Sequence, residues 1–249
     1  QANNDLYQVT FGPGWASSAH EIVEANSGGV YGWWGISFTW SPNGLKLAYA
    51  RPDSVGLVNI KEGTFEPLLD ILPLQTHSDW AWIPGITWGA DTRTLFTVTH
   101  APPPSLVAPE ESPYFDLSAV SLVNDTNVNI VQQSGMFAYP AASRLVVSGQ
   151  EQMYQIAYLQ AIFPAQSENS RYRLVVMDRD GSNRRALFPS GDAPGLEPQT
   201  PVWAPDAIEG QTGDFIAIVY MGNLYLIDSA TGEARQITGD GLITRIDWK

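Results

Sequence analysis

Trp40-Ser-Pro-Asn-Gly-Leu-Lys-Leu-Ala-Tyr49 joins an aromatic residue, a tight turn and an apolar run, and the chain returns to that order at intervals. Trp88-Gly-Ala-Asp91 precedes Thr94-Leu-Phe-Thr-Val98, and Trp203-Ala-Pro-Asp206 precedes Asp214-Phe-Ile-Ala-Ile-Val219. Trp248 repeats the aromatic once more. The second half of the unit also recurs. Leu174-Val-Val-Met-Asp-Arg-Asp-Gly-Ser-Asn-Arg-Arg-Ala-Leu187 parallels Leu224-Tyr-Leu-Ile-Asp-Ser-Ala-Thr-Gly-Glu-Ala-Arg-Gln-Ile237, and a weaker copy runs from Leu6 to Val23. Self-similarity at this period marks an array in which each repeat covers its neighbour.

Within each unit the residues spell short strands. The 22 glycines and 18 prolines interrupt nearly every window long enough for a helix, and the apolar runs are β-branched or aromatic. Strands are expected at Ile36–Trp40, Leu45–Ala50, Val55–Ile60, Ile86–Trp88, Leu95–Thr99, Arg173–Met177, Phe215–Tyr220, Asn223–Ile227 and Thr244–Trp248. The Asx-Gly pairs fit the turns, because Gly accepts positive φ and the Asx side chain bonds nearby amides.

The pattern resembles the TolB-like (WD40-like) β-propeller repeat most closely over Trp40–Tyr49 and Leu174–Leu187, and well over Trp203–Thr238. The resemblance implies an all-β propeller, and residues 1–249 read as one such domain. Five blades of about 50 residues fit the length, with inner strands near 36–40, 85–88, 143–148, 200–203 and 243–248. The fifth is split, Ile243–Lys249 giving its inner strand and Asp5–Thr10 with His20–Glu24 its outer two. Part of a six-bladed propeller is the alternative. In the third unit either Phe137–Pro140 or Arg144–Ser148 could be the inner strand, and the second is favoured because Gln155–Tyr158 then follows as its neighbour. Trp40, Trp88, Trp203 and Trp248 are the structural repeat positions; the first three are expected to be buried between blades.

Composition excludes several functions. Thirteen Lys plus Arg against 26 Asp plus Glu give a net charge of −13, which leaves no electrostatic footprint for nucleic acid. With no cysteine, thiolate metal sites and a Cys nucleophile are excluded. The longest apolar run, Phe215–Met221, is far short of the roughly 20 residues of a membrane helix, so no membrane insertion is expected. His20, His77 and His100 share no ligand spacing, so neither a metal nor a cofactor is implied. No Gly-x-Ser-x-Gly elbow occurs, and the inner strands carry few carboxylates, Asp247 being the clearest.

Propeller geometry gathers the connections between blades at one face. The segment Asn26–Trp34 and the segment Asp70–Ile83 bring Trp33, Trp34, Trp80 and Trp82 there, with His77 and Asp79 beside them. The Pro-rich segment Ala101–Pro113, with Glu110 and Glu111, and the segment Phe163–Ser170 belong at the same end. Aromatic faces rimmed by polar groups suit sugar rings or a peptide. Packing over the blade tops is the competing role for each tryptophan, and a loop hydrogen bond the competing role for the His77–Asp79 pair. The reading is a non-catalytic, extracytoplasmic propeller, periplasmic or secreted, that binds a protein, peptide or glycan. A carbohydrate-active or peptidase-associated enzyme domain is the alternative.

Overall fold

The computed structural model describes residues 6–23, 35–103, 108–149, 151–206 and 214–248. It begins with a two-stranded antiparallel hairpin, β1 (Leu6–Phe11) and β2 (Ser17–Val23). A four-stranded sheet follows: β3 (Ser37–Trp40), β4 (Leu47–Arg51), β5 (Ser54–Asn59) and β6 (Thr64–Asp70). The next is β7 (Ile86–Trp88), β8 (Thr94–His100), β9 (Phe115–Ser121) and β10 (Asn127–Val131).

The third sheet starts at β11 (Ala141–Ala142), is interrupted by a separate hairpin, β12 (Val146–Ser148) with β13 (Glu151–Met153), and resumes as β14 (Gln155–Ala161), β15 (Tyr172–Asp178) and β16 (Arg185–Phe188). The fourth is β17 (Val202–Trp203), β18 (Phe215–Tyr220), β19 (Asn223–Asp228) and β20 (Ala234–Gln236). Each sheet is an antiparallel meander in chain order. The first strands of successive sheets lie side by side, β3 by β7, β7 by β11 and β11 by β17.

Local bonds explain why the motif makes a strand-turn-strand unit. Ser41 N–H donates to the Lys46 carbonyl, Lys46 N–H returns to Ser41 Oγ, and Asn43 Oδ1 accepts from Leu45 N–H. Gly44 sits at φ 70°. The second unit repeats this with other residues: Gly89 N–H donates to Thr94 O and Asp91 Oδ1 accepts from Arg93 N–H, with Thr92 at φ 59° in the glycine's place.

In the third unit the same serine bonds pair Ser143 with Gln155, twelve residues apart where the first unit's pair is five apart. The extra length is the β12–β13 hairpin. The inner strand is therefore Ala141–Ala142, and not the favoured Arg144–Ser148, whose end belongs to that hairpin. Small Ala142 takes the tryptophan's slot. Tyr154 fills the space instead, buried, edge-on to Phe96 and donating to Asp91 Oδ2 at 3.0 Å.

The core is built from the second and third strands, whose residues face packed sheets on both sides. Leu95, Phe96, Val98, Leu117, Ile156, Leu159, Leu174, Val176, Ile216 and Ile218 are at or near 0% exposure. Trp88 and Trp203 are buried in equivalent places, the indole Nε1 of Trp88 donating to Thr39 O at 3.0 Å and that of Trp203 to Ala141 O at 2.9 Å. Each tryptophan thus docks on the first strand of the preceding sheet.

Two expectations fail at the closure. Trp40, expected to be buried, is 55% exposed: among the described residues, the sheet it would dock on consists of β1 and β2 alone. Residues 243–248 form no strand and Trp248 is half-buried outside any sheet. In every complete sheet the first strand pairs only with the second, and among the described residues no second strand is available to 243–248.

Candidate functional site

The segment 71–85 joins β6 to β7, and 101–114 joins β8 to β9. They meet at one end of the second sheet. Gln75 N–H donates to Glu110 O at 2.8 Å. The ring nitrogens of His100, at the end of β8, meet Leu72 O at 3.0 Å and Ser112 O at 2.8 Å, and the ring stacks on Phe115 at 5.1 Å. Carbonyl oxygens only accept, so each contact becomes a hydrogen bond through whichever ring nitrogen carries the hydrogen. His100 thus sits between the two segments, in contact with both.

Above this ring, the segment 74–81 folds around a shallow cavity of about 460 Å³. Thr76 Oγ1 donates to Trp80 O at 2.6 Å and closes the loop. His77, Asp79 and Trp80 all line the cavity. Trp80 is half-buried, one side packed on the core. His77 and Asp79 are exposed. The imidazole does not pair with Asp79 as spacing suggests: His77 Nε2 lies 3.5 Å from Glu111 Oε1 and Nδ1 lies 3.5 Å from Gln75 Nε2. The partner comes from the neighbouring segment, a contact that sequence spacing does not carry.

Trp82, grouped with these residues on the sequence, belongs to the core. It is 3% exposed, donates from Nε1 to Met136 O at 3.1 Å and meets the Phe115 ring edge-on at 4.8 Å. A ligand has no access to it, and its role is the packing one. Trp33 and Trp34 lie outside the described residues. Segment 163–170 reaches the same end, where Ser167 Oγ accepts from Met136 N–H at 3.0 Å and Tyr172 Oη donates to Ser167 O.

A second cavity, of about 420 Å³, was not anticipated. It is lined by Ser37, Gly85, Tyr139 and Thr200, with Ile36, Ile83 and Pro140 among their neighbours. Those four residues share one repeat position, three before the tryptophan slot, so each sheet contributes the start of its first strand to a common channel mouth. Repeat arithmetic finds this set only once the third inner strand is placed at 141–142. Tyr139 is the distinctive member. It has φ 40° without being glycine, it stacks on Phe137 at 5.8 Å, and burial raises its phenol above the ordinary range. Among the described residues its hydroxyl makes no hydrogen bond. It is a donor left available at the channel mouth.

The groups on offer are aromatic and polar. An indole face and a His–Glu pair flank the first cavity, and hydroxyls from separate sheets meet in the second. Among the described residues, no group of three or more His, Asp or Glu side chains converges to hold a metal ion. No helix of the described residues is long and apolar enough to cross a membrane.

Comparison with solved structures agrees with this architecture. A TolB of Agrobacterium tumefaciens superposes with TM-score 0.52 and 12% identity, over 95% of this chain and 74% of that one. A prolyl endopeptidase matches with TM-score 0.51 and 11% identity, over 96% of this chain and 35% of that one. The fold is thus a TolB-like β-propeller. No protein-family model and no curated protein matches the sequence.

Proposed function

We propose that the chain is a non-catalytic, extracytoplasmic propeller that binds a protein, peptide or glycan segment across its loop face. The observation that carries this reading is the convergence of His77, Asp79 and Trp80 on one cavity. A half-buried indole gives a flat stacking surface at small entropic cost, while the exposed imidazole and carboxylate orient a polar ligand. Glu110 and Glu111 border the same loop, and the net charge of −13 favours neutral or basic ligands. The free phenol of Tyr139 offers a further donor to whatever enters the channel mouth.

Intrinsic tryptophan fluorescence, titrated with a panel of soluble glycans and of neutral and basic peptides, tests the proposal. A saturable change that disappears in Trp80→Ala is the expected result. A flat response across the panel, or a response that survives in Trp80→Ala, overturns it.

A further inference from the structure

One segment serves both cavities of the loop face. Residues 74–81 line the shallow cavity that holds His77, Asp79 and Trp80, and residues 83–86 line the channel mouth, so only the buried Trp82 separates the two stretches. The Cα atoms of Ala81 and Ile83 are therefore at most about 7 Å apart. That is also the repeat of an extended chain, in which residues i and i+2 point to one face. Two side chains of one extended ligand, with a single residue between them, span the step from the first cavity to the second.

The two cavities differ in charge. Asp79 lines the first, and Glu111 stands beside its imidazole, 3.5 Å from His77 Nε2. Both carboxylates are exposed, and neither connection that builds this end, 71–85 or 101–114, contains a Lys or Arg. None of the described residues lining the channel mouth is charged; Ile36, Ile83 and Pro140 form its walls beside the phenol of Tyr139. Gly85 sets that ring in place, because a Cβ on Gly85 would stand 3.0 Å from Tyr139 Cδ1 and 3.3 Å from its Cα. An acidic, aromatic cavity thus adjoins an uncharged, apolar one.

We infer, on the reading that the loop face is a binding surface, that its ligand is an extended peptide with a basic residue two positions from a Leu-sized apolar residue. The basic side chain enters the first cavity, its charge meeting Asp79 and Glu111 and its stem lying on the Trp80 indole. The apolar side chain enters the channel mouth between Ile36, Ile83 and Pro140, and the Tyr139 hydroxyl donates to a peptide carbonyl there. A neutral glycan leaves both carboxylates unanswered, and an acidic one is repelled. Charge therefore selects a peptide over a sugar, and the apolar pocket fixes its register.

The test is a set of short fluorescein-labelled Gly-Ser peptides carrying Lys-Ser-Leu or Leu-Ser-Lys at their centre, titrated into the full chain and followed by anisotropy. Saturable binding of at least one order is expected, about tenfold tighter than that of a peptide with adjacent Lys-Leu, whose side chains point to opposite faces. Glu in place of Lys should abolish it, and added salt should weaken it. Trp80→Ala should weaken binding about tenfold and Tyr139→Phe about threefold, while Asp79→Arg should transfer the preference to the Glu peptide. Trp40→Ala, at the other end of β3 from Ser37, should change nothing. Equal binding of the Lys-Leu or the Glu peptide, or binding indifferent to Asp79→Arg, overturns the inference. Failure of both orders overturns it too: a Trp80-dependent response to another member of the glycan and peptide panel then leaves the loop-face reading standing, and a flat panel removes both.

Discussion

The indole of Trp88 donates to the carbonyl oxygen of Thr39, joining the first strands of two successive sheets at 3.0 Å. Trp203 makes the equivalent bond to Ala141 at 2.9 Å. In both cases the acceptor lies one residue before the preceding sheet's own tryptophan slot. The motif therefore carries inter-sheet information as well as a turn. A large apolar ring closes the layer between sheets, and its one polar atom finds a backbone acceptor there.

His100 lies between two segments, its ring nitrogens within hydrogen-bond reach of Leu72 O and Ser112 O in a buried site. Replacing it by Leu keeps much of the volume but removes the ring N–H donor, at about 1–3 kcal/mol for the carbonyl oxygen it serves where water cannot reach. We expect His100→Leu to lower the urea midpoint and to speed proteolysis within 101–113. Unchanged cleavage in that segment would show that the two segments are held by other contacts.

Alkaline stability follows from the tyrosines. Burial pushes the phenols of Tyr158 and Tyr172 up to about 12 from 10.0, and raises Tyr154 as well. The unfolded chain therefore releases these protons first. Their contribution is complete below pH 10 and is lost as pH rises from 10 towards 12. Phenolate absorbance should show an early fraction from exposed tyrosines and a late, cooperative fraction coinciding with loss of the β-sheet signal. A single ionisation step near the ordinary value, with the fold intact, would contradict the burial.

Gly44 and Gly181 both have positive φ, but only Gly181 is crowded: nothing lies within 4 Å of a Cβ on Gly44, whereas one on Gly181 meets Ile130 O at 2.9 Å. Gly44→Ala should cost about 1–2 kcal/mol for the backbone conformation alone. Gly181→Ala should cost roughly 1–3 kcal/mol more, because the second and third sheets must separate to admit the methyl group. Equal losses in parallel urea melts would remove the sheet-to-sheet contact from the account.

Much of this was legible in the sequence because the repeat unit is stabilised locally. The bonds of Ser41, Asn43 and Asp91 reach only a few residues, so Trp40-Ser-Pro-Asn-Gly and Trp88-Gly-Ala-Asp announce strand, turn and strand wherever they occur. The third inner strand escaped because it is two residues long and carries Ala142 in the aromatic slot, while the inserted hairpin beside it offers more strand-like residues. The exposure of Trp40 has a different reason. It depends on the neighbouring sheet, which no local pattern reports.

The candidate site was legible only in part. His77, Asp79 and Trp80 share a cavity, yet the imidazole's carboxylate partner is Glu111, brought in by a connection within another sheet. Trp80 and Trp82 look alike on paper. What separates them is the Met136 carbonyl and the Phe115 ring that receive Trp82, and both come from segments distant in the chain.

Urea melts of Trp40→Ala, Trp88→Ala and Trp203→Ala, measured side by side, test most directly the claim that each tryptophan docks on the sheet before it. Trp88→Ala and Trp203→Ala should each lose about 3–5 kcal/mol, as for a large aromatic deleted from a core, while Trp40→Ala should lose less than about 1 kcal/mol. Equal losses at all three positions, or a near-neutral Trp203→Ala, would contradict the account.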